Sequence, residues 1–271
     1  MLGVLLFASS ASASSHNPTG EFKEFGECPL NNPAVENCVF SVTNGGSVQI
    51  GSKNVPLKNP VTLQGGFFGE GQEVTFVGAE NGVTLSKTPQ PVPGGLLGIT
   101  APTWWPKFIQ NWFNNLINEG FTGVNATVEL AAPASKIFLS TENLLNQEGT
   151  ALGLPVKVKL DNAILGSNCY IGSNSKPIQI DFTSGKSGAL EGSVGEITFN
   201  ETFTLITISG GKLVNGTFAA PGASGCGGIF SLFIDPLVNS VLGIPSASGK
   251  NNATLEGVLK SANAAAVKAS E

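Results

Sequence analysis

The sequence has few of the groups that most enzymes use. The chain of 271 residues has one histidine, and hydrolase triads need a base that is usually histidine. That residue, His16, lies in an N-terminal stretch predicted to be mobile. The sequence has no CxxC pair, and a zinc site needs several Cys or His ligands. We therefore predict no catalytic residue, no metal and no cofactor.

Charge is also scarce. Charged residues make up 12% of the chain, about half the usual share for a soluble domain. The net charge is −5 and the isoelectric point is about 5.0. The lysines are scattered, whereas a nucleic-acid-binding protein needs a basic stripe. No apolar run reaches the ~20 residues of a transmembrane helix. We expect neither a nucleic-acid partner nor a transmembrane span.

Glycine is abundant, at 35 residues. Hydrophobic residues make up 41% of the chain, which is sufficient for a core. The stretch Val156–Thr183 holds two runs in which apolar and polar residues alternate, which is typical of strands with one buried face. We predict a mainly β fold, an antiparallel β-sandwich or flattened barrel with one or two short helices.

Several glycine pairs look like hairpin turns between short strands. Asn44–Gly46 follows the predicted strand Val39–Thr43, and glycines accept the positive φ that such turns require. Gly210-Gly211 likewise separates two predicted strands. Ala253–Leu259 is predicted to be a closing strand.

The predicted domain organisation has four parts. Residues 1–13 resemble a signal peptide without its basic n-region, with the apolar Leu2–Phe7 before a small-residue cleavage site. Residues 14–27 are predicted to be a flexible N-terminus, residues 28–260 a single β-rich domain, and residues 261–271 an Ala-rich tail, helical or disordered.

Four cysteines allow three disulfide connectivities. Cys28 and Cys38 are close in sequence, so local pairing is favoured, which leaves Cys169 to pair with Cys226. An even number of cysteines without a metal motif favours an oxidising compartment. We predict an extracellular or cell-wall-associated protein.

One helix is predicted over Thr103–Asn118, with an apolar face that includes Trp105, Phe108, Trp112 and Phe113. This face has three interpretations: packing against the sheet, a lid over a lipid or glycan pocket, or a membrane-surface helix. A second short helix is predicted over Ile229–Leu242, where Asp235 would suit an N-cap ahead of Pro236.

Paired carboxylates can hydrolyse glycosidic bonds. Glu191 and Glu196 lie in or beside a glycine-rich loop, but no spacing rule selects them. Asp161 and Asp181 occupy outward positions of predicted strands, where surface charges are expected.

Six segments together resemble a family of secreted proteins from high-GC Gram-positive bacteria, the actinobacteria. They are ECP at Glu27–Pro29, VPLKNPVTLQGG at Val55–Gly66, VPGGLLG at Val92–Gly98, LPVKVKLDNAILGSNCYIGSNSKPI at Leu154–Ile178, FAAPGASGCGG at Phe218–Gly228, and IDPLVNSVLGIPSASGKNNATLEG at Ile234–Gly257. The similarity spans roughly Cys28 to Glu271. It implies secretion, but it brings no activity and no catalytic residue.

Three function hypotheses follow. The first is a secreted or envelope-associated, non-enzymatic protein that binds an apolar or glycan ligand, such as a lipid or a cell-wall glycan. The second is a carboxylate-dependent glycan hydrolase, which needs two acids facing each other across a cleft. The third is a surface protein that self-assembles through exposed strand edges.

Overall fold

The computed structural model describes residues 16–69, 71, 74–95, 103, 106–108, 110–111 and 123–271. Within these residues two antiparallel sheets of seven strands each pack face to face, with short helices around them. The two sheets form no closed barrel. Of the two predicted architectures, the structure therefore has the sandwich.

Sheet A contains the longest strands. Its members are β1 (Asn37–Ile50), β2 (Lys53–Pro56), β3 (Val61–Phe68), β4 (Thr75–Gly78), β13 (Glu196–Phe199), β14 (Leu205–Asn215) and β16 (Asn252–Asn263). The strand order is β13-β14-β16-β1-β3-β4, and β2 pairs with one end of β1. The two central strands, β1 and β16, are therefore more than 200 residues apart in sequence, with Asn37 opposite Asn263.

Sheet B is built around one central strand. Its members are β5 (Gln90–Pro91), β6 (Asn125–Leu130), β7 (Phe138–Leu139), β8 (Leu152–Asp161), β9 (Tyr170–Ile171), β10 (Ile178–Phe182) and β15 (Ala223–Ser224). β8 pairs with β10 and β9 along one edge, and with β7 and β6 along the other. A separate two-stranded ribbon contains β11 (Lys186–Ser187) and β12 (Leu190–Glu191).

The predicted alternation in the central stretch is confirmed. Val156, Val158 and Leu160 on β8 are buried, while the lysines between them are only partly buried. On β10 the isoleucines and Phe182 are buried, and the polar residues between them are exposed. The apolar faces of both strands therefore form the core side of sheet B.

Among the elements whose full range the structure describes, three α-helices and three 3-10 helices accompany the sheets. They are α1 (Thr141–Asn146), α2 (Ser231–Leu242), α3 (Ala264–Ala269), η1 (Gly20–Phe25), η2 (Ala134–Lys136) and η3 (Gly228–Phe230). The predicted second helix is confirmed as α2. Asp235, predicted as an N-cap, instead lies inside α2, where its carboxylate accepts hydrogen bonds from the backbone amides of Gly225 and Cys226.

The chain termini of the described region cover the outer face of sheet A. Phe25 of η1 and Val267 of α3 are buried there, together with the disulfide Cys28–Cys38. The Nδ1 atom of His16 lies 2.6 Å from the Glu271 carboxylate. Residues 16–27 and 261–271, predicted as a flexible end and a tail, therefore pack on this face because both bury apolar side chains.

The two predicted hairpin turns at glycine pairs are wrong. Asn44–Gly46 and Gly210-Gly211 are β-bulges inside the continuous strands β1 and β14. Both bulges lie opposite Gly257 of β16, where a Cβ atom would approach the carbonyl oxygen of Val42 to 2.0 Å. A bulge inserts one extra residue and often uses glycine in the left-handed region. The same glycines are therefore compatible with a hairpin turn and with a bulge.

Candidate functional site

A row of apolar cavities runs along the inner face of sheet A, two of them between the sheets and one between sheet A and α1. The cavities measure about 420, 130 and 70 Å³ and share lining residues in succession. We call the whole row the inter-sheet slot, and name its parts the Phe199 cavity, the central cavity and the Lys53 cavity after one lining residue of each. Together the volumes reach the range of about 300–1,000 Å³ that is typical of small-molecule sites.

Strand β1 follows the slot along its length. Asn37 lines the Phe199 cavity, Thr43 the central cavity, and Ile50 both the central cavity and the Lys53 cavity. At a rise of about 3.3 Å per residue, the strand spans roughly 40 Å. The slot is therefore long and narrow, a shape suited to a slender molecule.

The bulges keep the inner face of sheet A apolar on both sides of Gly257. On β14 the slot is lined by Ile208 before the bulge and by Leu213 after it. These positions differ by five, an odd number, so a regular strand would turn them to opposite faces. The extra residue at Gly210 brings both side chains to the slot.

Several apolar side chains along the slot are only partly buried. Val48, Val61, Leu213, Leu255 and Leu259 are all of intermediate exposure, although they face the opposite sheet. In a closely packed sandwich the side chains of the two inner faces interdigitate and exclude water. Here the two inner faces leave space between them.

The Lys53 cavity is the narrow end of the slot. Lys53 and Val55 of β2 line it, while Asn54 between them is exposed. The buried Gln90 is also part of the lining, and its side-chain amide is bound to the backbone of Lys58 and Asn59. Burial lowers the pKa of the Lys53 ammonium group, because desolvation disfavours the charged form.

The Phe199 cavity is the wide end. It lies between the inner face of sheet A and α1, and its apolar lining includes the exposed Phe199 of β13. Two carboxylates that do not line the cavity lie next to glycines of its lining. Glu36 accepts a hydrogen bond from the backbone amide of Gly69, and Glu142 lies beside Gly71, and both glycines line the cavity.

A polar cleft of about 900 Å³ lies outside the slot, beside β10 and the β11–β12 ribbon. Three acids line it: Glu148, Asp181 and Glu191. All three are exposed. The carboxylate of Asp181 accepts a hydrogen bond from Gln179, and that of Glu191 lies 3.8 Å from the ammonium group of Lys186. Glu196, the other predicted acid, is on β13 and does not line this cleft.

The second predicted disulfide is also present. Cys169 and Cys226 are bonded, and both are fully buried. The bond joins the loop before β9 to the loop before α2, and the Asp235 carboxylate holds the backbone amide of Cys226. This end of sheet B, which borders the Lys53 cavity through Leu165 and Ile171, is thereby fixed.

Most of the predicted aromatic face lies outside the described residues. This holds for Trp105, Trp112 and Phe113, so the lid interpretation stays a prediction. Phe108 is described, and its side chain is 74% exposed. The described residues on either side of this stretch, Gly95 and Val124, both line the Lys53 cavity.

Helix α2 presents a second apolar surface to solvent. Its exposed residues, with those of η3, are Ile229, Phe230, Leu232, Phe233 and Leu237. The opposite side of the helix packs on the core through the buried Val238, and Leu242 lines the Lys53 cavity.

Comparison with protein-family models, curated proteins and solved structures finds no match to this chain. Among the helices that the structure describes, none has the length and hydropathy needed to cross a membrane. The described residues also contain no group of three or more His, Cys, Asp or Glu side chains placed to hold a metal ion.

The slot could not be found from sequence. Its lining comes from both sheets and from α1 and α2, each contributing a few aliphatic residues. Alternation identifies which residues face inward, but it does not show whether the opposite sheet fills the space in front of them.

Proposed function

We propose that this protein is a non-enzymatic binding protein that holds a slender apolar or amphipathic molecule between its two sheets. The observation that carries this proposal is the row of three adjoining apolar cavities, together with the partial exposure of the aliphatic residues that line it. An apolar ligand would remove those side chains from water, at about 25 cal/mol per Å² of apolar surface buried.

We further propose that the protein works outside the cytosol, in the extracellular space or at the cell envelope. The two disulfides support this, because disulfides persist in oxidising compartments. The resemblance to secreted actinobacterial proteins supports the same location.

Native mass spectrometry of protein purified without detergent, beside the denatured mass, tests for a bound ligand. We expect extra mass that is lost on denaturation, or uptake of an added apolar fluorophore by the emptied protein. Higher multiples of the chain mass would instead favour self-assembly.

A blocking variant locates the binding. Val48 lines both the central and the Lys53 cavities, so Val48→Phe should reduce fluorophore binding at least tenfold. Val83→Phe is the matched control, because Val83 is exposed and lies outside the slot. Equal binding by both variants would contradict the proposal.

Glycan binding or hydrolysis in the polar cleft is a second candidate, favoured by the three acids that line it. A glycosidase needs one carboxylic acid that stays protonated beside a second carboxylate, and the exposure of all three acids gives this candidate less support. Release of reducing sugar from cell-wall polysaccharide, abolished by Asp181→Asn or Glu191→Gln, would establish it.

A further inference from the structure

The slot carries one charge. Among the described residues that line its three cavities, Lys53 is the sole side chain with a formal charge, and the rest are aliphatic, aromatic, glycine or neutral polar residues. A partly buried cation at the end of an apolar channel loses some of its hydration, and an accompanying anion offsets that cost.

The backbone directs Lys53 to this position. In the β1–β2 hairpin Lys53 lies opposite Ile50, and Val55 lies opposite Val48. Ile50, Val48 and Val55 all line the Lys53 cavity. Because side chains alternate along a strand, Lys53 shares the inward face with Val55 rather than the exposed face of Asn54.

Lys53 has no carboxylate within 4.0 Å among the residues that the structure describes, whereas Lys157, Lys159 and Lys260 each have one. The neighbouring Gln90 amide is already bound to the backbone. The partly buried ammonium group therefore has free donors, and its pKa is lowered by burial, a cost that a bound anion would offset.

The other end of the slot has the opposite electrostatic character. Glu36 and Glu142 lie next to Gly69 and Gly71, which line the Phe199 cavity, and there they would repel an anion. An amphiphile with an anionic head would therefore bind in one orientation, with its head at the Lys53 end.

We propose that the ligand of the slot is a single-chain amphiphile with an anionic head, which pairs with the Lys53 ammonium group while the alkyl chain extends along β1 towards the Phe199 cavity. This inference rests on the proposed function and adds the ligand's charge and orientation to it. A carboxylate and a phosphate head share the required chemistry.

Calorimetric titration of the emptied full-length protein with dodecanoate, dodecyl phosphate and 1-dodecanol tests this inference. The three probes have the same chain and differ in the head. The wild type should bind at least one anionic probe about tenfold or more tightly than dodecanol, as expected for a charge-assisted hydrogen bond. The tighter of the two anions identifies the head.

Lys53→Met should abolish this preference while leaving dodecanol binding unchanged. Lys53→Gln, which keeps a polar end, serves as a second variant if Lys53→Met is poorly folded. Lys58→Met is the matched control, because it removes the same charge from an exposed position five residues further on.

The outcomes separate the two proposals. If dodecanol and the anions bind equally and Lys53→Met changes nothing, the charged-head inference is wrong and the apolar slot stands. If no probe binds the wild type, both are wrong. A loss of preference in Lys58→Met as large as in Lys53→Met would also overturn the role of Lys53.

Discussion

The two faces of sheet A are packed differently. On the outer face, η1, α3 and the Cys28–Cys38 disulfide cover the strands, and Phe25, Ala262 and Val267 are at most 2% exposed. On the inner face, Leu213, Leu255 and Leu259 remain partly exposed beside the slot. The comparison indicates that the outer face is closely packed, whereas the inner face leaves space, which the proposed ligand would fill.

The largest difference should come from truncating one side chain on each face. Phe25→Ala should lower the free energy of unfolding by about 3–5 kcal/mol, because it leaves a cavity in a filled cluster. Leu259→Ala should cost about 2 kcal/mol, at the low end for such changes, since Leu259 already borders empty space. Urea unfolding monitored by circular dichroism measures both, and equal losses would show that the two faces are packed alike.

Enlarging a leucine on each face of the same strand should give a smaller difference in the free energy of unfolding. Leu205 of β14 faces the filled outer cluster, and Leu213 faces the slot. Leu205→Phe should destabilise by about 1–3 kcal/mol through overpacking, whereas Leu213→Phe should cost less than about 1 kcal/mol.

The variants Leu205→Phe and Leu213→Phe also distinguish an effect on stability from an effect on binding. Leu213→Phe should weaken binding of an apolar fluorophore, and Leu205→Phe should leave the binding of the folded fraction unchanged. Thermal unfolding and fluorescence titration of both variants provide the two readouts. A Leu213→Phe protein as destabilised as Leu205→Phe would show that the slot has no spare room.

The smallest expected effect concerns Lys53. Burial lowers the pKa of its ammonium group, so the protonated form destabilises the native state. Without ligand, Lys53→Met should therefore raise the free energy of unfolding at pH 7, by less than about 1 kcal/mol because the group is partly solvated.

The pH dependence has a defined sign. Below the lowered native pKa of Lys53 the penalty is fully present, and it disappears as pH rises from that value to the unfolded pKa of about 10.4. The advantage of Lys53→Met should therefore shrink as pH is raised towards 10, as measured by urea unfolding with Lys58→Met as control. An advantage that grows with pH would contradict the burial of the charge.

Much of the fold was predictable because its signals are local. The alternation along Val156–Leu160 and Ile178–Phe182 predicts strands with one buried face, and both are found. The pairing of Cys28 with Cys38 follows from their closeness in sequence, and it leaves one partner each for Cys169 and Cys226.

The errors and omissions have physical causes. Glycines at 45–46 and 210–211 permit either a hairpin turn or a bulge, and the bulges form where both strands pair with β16 at Gly257, a residue distant in sequence. Lys53 gives no local signal either, since β2 is only four residues long and its alternation is too short to separate an inward from an outward lysine.

The pairing of β1 with β16 has a consequence for the order of folding. Every strand of sheet B except β15 comes from residues 90–182, whereas the centre of sheet A joins Asn37 to Asn263. Contacts between distant residues form slowly because a long loop must close first. We expect sheet B to assemble while β1 and β16 are still apart, so that the proposed ligand could enter during the last step of folding.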